Sequence, residues 1–99
     1  MTFTQVFSSK EHIMSTLEEL REQIEEADAC IIETLAKRQE LSKQIGALKS
    51  KEGKKIMDRS REKQLFEYYD HLSKQYHLQE DFINRLFKII ISNSRKVQK

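Results

Sequence analysis

Apolar side chains recur three or four residues apart through the first half of the chain, at Ile13, Leu17, Leu20, Ile24, Ala27, Ile31, Leu35, Leu41, Ile45 and Leu48. That spacing marks one face of a helix and predicts a single helix from Ser9 to about Ser50. The longer step, from Leu35 to Leu41 or Ser42, holds Arg38. Gly46 lies inside the pattern and costs about 1 kcal/mol against Ala, which a long helix tolerates. Lys51-Glu52-Gly53-Lys54-Lys55 is the clear break, where Gly53 suits the left-handed conformation that ends a helix. Asp58 reads as the N-cap or first-turn acid of a second helix reaching Tyr76, with Leu65, Tyr68 or Tyr69, Leu72 and Tyr76 as its apolar face. His77-Leu78-Gln79 is a short connection. Glu80 and Asp81 suit the first turn of a third helix that carries Ile83, Phe87 and Ile90, flanked by Phe82, Leu86, Ile89 and Ile91. The chain therefore reads as all-α, with one long N-terminal helix and two shorter ones, and shows no internal repeat or low-complexity segment.

The first helix is too long for its own chain to enclose. About 40 residues span roughly 60 Å, whereas a compact domain of this size has a radius of gyration near ~13 Å. Its apolar stripe contains no proline and continues almost unbroken, so an intertwined homodimer that shares the stripe is expected rather than a kinked monomer. A strict coiled coil fits less well, because the two later helices also need a partner surface.

Composition narrows the function. Eighteen Lys and Arg against 16 Asp and Glu leave a net charge of +2, with the basic residues dispersed, which argues against nucleic-acid binding or a polybasic arm. Two glycines and no proline argue against a turn-rich β fold and a glycine-rich phosphate loop. Cys30 is the sole cysteine, so an internal disulfide and a multi-cysteine zinc site are excluded, and His12, His71 and His77 lack metal-site spacing. No signal-like segment and no stretch of membrane-span length is visible, which points to a cytoplasmic protein without a membrane partner.

The informative positions are polar residues where periodicity calls for apolar ones. Arg38 and Lys49 fall in or beside the first stripe, and Arg21 flanks Leu20 and Ile24. Arg61 and Glu62 precede Leu65 on the inward side of the second helix, one turn after Asp58. On the third, the row Ile83, Phe87, Ile90 continues into Ser94 and Gln98. A buried charge costs several kcal/mol unless it is paired or liganded. Arg21, Arg38, Lys49 and Arg61 outnumber the nearby inward acids Asp58 and Glu62, which suggests a pocket for a small dianion. Taken singly, each has a plainer role: a snorkelling arginine, a Glu62 pair with Arg38 or Arg61, a fraying end at Ser94 and Gln98, a solvated basic loop from Lys49 to Lys55.

Taken together, these positions resemble the all-helical chorismate mutases. The resemblance runs through Leu20-Arg21-Glu22-Gln23-Ile24 and Asp28, Leu35-Ala36-Lys37-Arg38, Ile45-Gly46 and Lys49, then Ile56 to Glu62, then Arg85-Leu86-Phe87, Ile89-Ile90 and Ser94 to Gln98. It covers residues 13 to 98 and implies one domain over residues 11–99, preceded by a disordered extension over 1–10. It implies a cofactor-free and metal-free Claisen rearrangement of chorismate to prephenate, in phenylalanine and tyrosine biosynthesis, by a homodimer with shared active sites. Arg38, and Arg21 from the other subunit, would hold the substrate carboxylates. Lys49 would contact a carboxylate and the ether oxygen, and Gln98 would donate to that oxygen from the opposite side. Glu62, with backbone near Asp58, would bind the ring hydroxyl, and Arg61 and Ser94 would complete the carboxylate end. Gln79 departs from the Asp or Ser cap more usual at its position.

Helical geometry agrees on one point. Arg21 and Arg38 are about 25 Å apart along one helix, too far to reach one small molecule, whereas Arg38 and Lys49, roughly 16 Å apart, can close on one. Two other readings compete: an isochorismate pyruvate-lyase on the same scaffold, and a non-catalytic helical dimerisation module.

Overall fold

Thr16 sets where the first helix begins. Its hydroxyl accepts the backbone N–H of Glu19 at 3.1 Å, which satisfies one of the donors that a helix N-terminus leaves open. The computed structural model describes residues 16–99, and among them there are three helices and no strand: α1 (Leu17–Lys51), α2 (Arg59–Gln75) and α3 (Glu80–Gln98). The first helix is described from Leu17, directly after Thr16, and the predicted start at Ser9 lies outside the described residues. Ile13 and the 1–10 extension lie outside the described residues.

The chain divides into two units, residues 1–38 and 39–99, and α1 runs from the first into the second. In the first unit the predicted stripe is exposed: Leu17, Leu20, Ile24, Ile31 and Leu35 are all open to solvent on the single chain. Ala27, Cys30 and Arg38 are partly covered.

In the second unit the face of α1 that is covered is the row Ser42, Gly46 and Lys49, while Leu41, Ile45 and Leu48 stay exposed. Small residues are needed there. A Cβ added at Gly46 would stand 2.5 Å from the carbonyl oxygen of Gln98 and 2.6 Å from its Cα. Gly46 is therefore more than a tolerated interruption: it is the point where α1 meets the backbone of α3. Gly→Ala inside a helix ordinarily stabilises by about 1 kcal/mol. Here overpacking against backbone is expected to reverse the sign and cost about 1–3 kcal/mol. Thermal denaturation should show Gly46→Ala melting several degrees below the parent, and an equal or higher midpoint would mean that the two helices separate freely.

The α2–α3 hairpin is held by aromatic packing. Tyr69 stacks on Phe87 with ring centroids 4.0 Å apart, and Phe66 meets Tyr69 edge-on at 5.5 Å. Of the two tyrosines the periodicity allowed, Tyr69 is the buried one. Tyr68 and Tyr76 are exposed, the latter already being the C-cap of the helix. Ser73, buried, donates its hydroxyl to the Tyr69 carbonyl at 2.7 Å, and Ile91 completes the core from α3.

The C-terminal ends of α1 and α2 close in the same way. Gly53, at φ 70°, follows α1, with Lys54 N–H donating to the Lys49 carbonyl at 2.8 Å and Gly53 N–H to Ser50 at 3.2 Å. His77, at φ 57°, follows α2, with Leu78 N–H donating to the Ser73 carbonyl at 2.9 Å and His77 N–H to Lys74 at 3.3 Å. Each is a Schellman closure, expected at Gly53 and less common at a histidine. Gln79 starts α3 with no side-chain cap. No helix among the described residues is long and apolar enough to cross a membrane.

Candidate functional site

The last turn of α1 presents Lys49, where the helix C-terminus favours a cation. The Gly53 closure turns the chain back so that the Ile56 carbonyl accepts from Lys49 Nζ at 2.6 Å. Lys49 Nζ also donates to Gln98 Oε1 at 3.0 Å, which ties the end of α1 to the end of α3. An ammonium group has three donors, so one N–H of Lys49 stays available. The amide oxygen of Gln98 is taken by Lys49, so Nε2 is the end of that amide that can donate outward. Two sequence-predicted residues far apart in the chain thus meet as a pair of donors.

Glu62 lies in the first turn of α2 and is gripped by Arg95 of α3. Arg95 Nε donates to Oε2 at 2.9 Å and Nη2 donates to Oε1, a two-pronged pairing that is partly shielded from solvent. The hydrogen bond from Arg95 holds the Glu62 carboxyl below the usual carboxylate range. Burial opposes this, the charges of Arg95 and Lys49 add to it, and Asp58 works against it. The same pairing raises Arg95. Glu62 is thus held by a residue that the sequence reading did not single out. A signal was available. Counted outward from the α2–α3 connection, Glu62 stands 14 residues before Tyr76 and Arg95 stands 16 after Gln79, so an antiparallel hairpin brings them level.

Asp58 is the N-cap of α2, its Oδ1 accepting the Arg61 N–H at 3.0 Å. The Arg61 side chain is exposed rather than inward, since the covered face of α2 runs through Glu62, Leu65, Phe66 and Tyr69. Ser94 is buried and donates to the Ile90 carbonyl at 3.0 Å, so the α3 row does continue inward from Ile90 through Ser94 to Gln98. Arg21 and Arg38 belong to the first unit, the former exposed and the latter partly covered, 17 residues apart on one continuous helix.

A cavity of about 540 Å³ opens beside Gln98, lined by Gly46, Ile56 and the lysines Lys43, Lys54 and Lys99. Of the predicted site residues only Gln98 borders it. Chemically, Lys49 offers an ammonium donor, Gln98 an amide donor and Glu62 a carboxylate acceptor, and the cavity borders Gln98 among them.

Residues 20–99 match the family described as chorismate mutase type II. The chain is 30% identical over 87 residues to the chorismate mutase of Methanocaldococcus jannaschii, covering 88% of each chain. It is 37% identical over 75 residues to the bifunctional chorismate mutase/prephenate dehydratase of Escherichia coli, covering 76% of this chain and 19% of that one. Against the protein of the same description from Buchnera aphidicola subsp. Schizaphis graminum it is 39% identical over 79 residues, covering 80% and 20%. The chain spans about a fifth of the length of these bifunctional relatives.

Proposed function

The chain belongs to the chorismate mutase type II family, and from that premise we propose that it converts chorismate to prephenate by a Claisen rearrangement without a cofactor, as a step toward phenylalanine and tyrosine. The observation that carries this reading at the level of residues is the Lys49–Gln98 pair. As the carbon–oxygen bond breaks, negative charge gathers on the ether oxygen. The remaining N–H of Lys49 and the Nε2 of Gln98 are fixed donors that strengthen as this charge develops. No proton transfer and no nucleophile are needed.

Glu62 accepts the ring hydroxyl, with Asp58 at the same helix start, and Ser94 completes the carboxylate end. Arg38 and Arg21 hold the two carboxylates and select the compact conformer in which the bonding carbons approach. Along one continuous helix Arg21 and Arg38 are separated by about 25 Å, so the site takes Arg21 from a second copy. The exposed apolar face of α1 supports the same arrangement, because an intertwined dimer would cover it. Light scattering is expected to give twice the mass of the chain.

The test is a chorismate-disappearance assay on purified protein with product identification, run beside isochorismate. Prephenate at enzymatic rates is the expected result. Pyruvate released from isochorismate alone would move the function to a lyase on this scaffold, and turnover of neither would remove the catalytic reading.

The pH profile is a second check. Glu62 is held below the ordinary carboxylate range, so the Glu62–Arg95 pairing is fully present above the unfolded carboxylate value and lost only as pH falls through the lower folded one. Gln98 does not titrate. Turnover is therefore expected to be nearly flat from roughly pH 6 to 8, and a steep acid optimum would contradict a neutral amide donor.

A further inference from the structure

We infer that Arg95 is a positioning residue for the proposed reaction: it locks the Glu62 carboxylate in one plane across the open end of the α2–α3 hairpin, so that Glu62 meets the substrate hydroxyl as an oriented acceptor. This rests on the reading of Glu62 as the hydroxyl acceptor. The geometry is specific. Nε and Nη2 of one guanidinium engage Oε2 and Oε1 of one carboxylate, which fixes both the rotation and the direction of the group. Each carboxylate oxygen has a second lone pair, so the clamp leaves an acceptor on either one.

The clamp also joins the first turn of α2 to the last turns of α3, the helix that carries Ser94 and Gln98. Three charged groups bear on Glu62: Arg95 from α3, Lys49 from α1 and Asp58 at the start of α2. Arg95 is the one among them with hydrogen bonds to the carboxylate, so it both orients Glu62 and favours its charged form. A lysine could supply the charge but not the planar fork.

The test compares the parent protein with R95Q and R95K in three ways: carboxyl-carbon NMR titration of Glu62 without ligand, kcat/KM for chorismate against pH, and thermal melting. R95Q is expected to raise the Glu62 midpoint toward the ordinary carboxylate value and to move the acid limb of kcat/KM upward with it. The plateau should fall about 10- to 100-fold, the range for a displaced catalytic contact. R95K is expected to restore the titration and only part of the rate. If R95Q fails to fold, R95K carries the comparison alone, with a parent-like Glu62 titration and a reduced plateau as the expected result. Parent-like kcat/KM and an unmoved acid limb in a less thermostable variant would make the pair merely structural and overturn the inference. An inactive parent protein would instead overturn the reading on which it rests, and the NMR titration would still report whether Arg95 controls Glu62.

Discussion

Lys49→Ala is expected to lower turnover of chorismate by about 10² to 10³, the usual loss when one donor to a developing oxyanion is removed. Two effects combine. The third N–H of Lys49 no longer meets the ether oxygen, and Gln98 loses the partner that holds its amide oxygen. The Ile56 carbonyl also loses its donor, but it lies in a loop that water can reach from the neighbouring cavity, so the fold should persist. The measurement is kcat at saturating chorismate, with circular dichroism and solution mass to show the helices and the assembly intact. Near-normal turnover would take Lys49 out of the mechanism.

Gln98→Ala should lose turnover on the same scale, about 10² to 10³, for a different reason. The packing at this position is made by backbone: Gly46 faces the carbonyl oxygen and Cα of Gln98. Truncating the side chain leaves that approach in place and removes the amide alone. Melting should therefore change little while kcat falls, the reverse of Gly46→Ala. The double variant of Lys49 and Gln98 should lose far less than the product of the two single losses, because Lys49 also orients the amide of Gln98. Independent, multiplying losses would show that the two donors act separately and that their hydrogen bond is incidental.

Much of this molecule is written locally. Periods of three and four place the helices, Gly53 and Asp58 mark an end and a start, and the polar residues Lys49, Ser94 and Gln98 stand out in their rows. These features depend on neighbours a turn away, which is why sequence alone reveals them. The likeness to a known family was legible for a related reason, since it rests on residue types at fixed spacings along helices.

The rest depends on which side of one helix lies against another. Whether Tyr68 or Tyr69 enters the core is a rotation of about 100° that periodicity barely resolves, and stacking on Phe87 decides it. The covered face of α1 in the second unit is the Ser42–Gly46–Lys49 row rather than the apolar stripe beside it, because only a glycine admits the backbone of Gln98 at Gly46. Glu62 finds Arg95, 33 residues away, because the hairpin brings the two helices level, whereas Arg61, adjacent in sequence, points to solvent. The amino-acid order determined the helices, their ends and the residue types available for an anion. Tertiary structure decided which charges meet, because lateral packing is set by the shapes of surfaces distant in the chain and leaves no periodic trace within either helix.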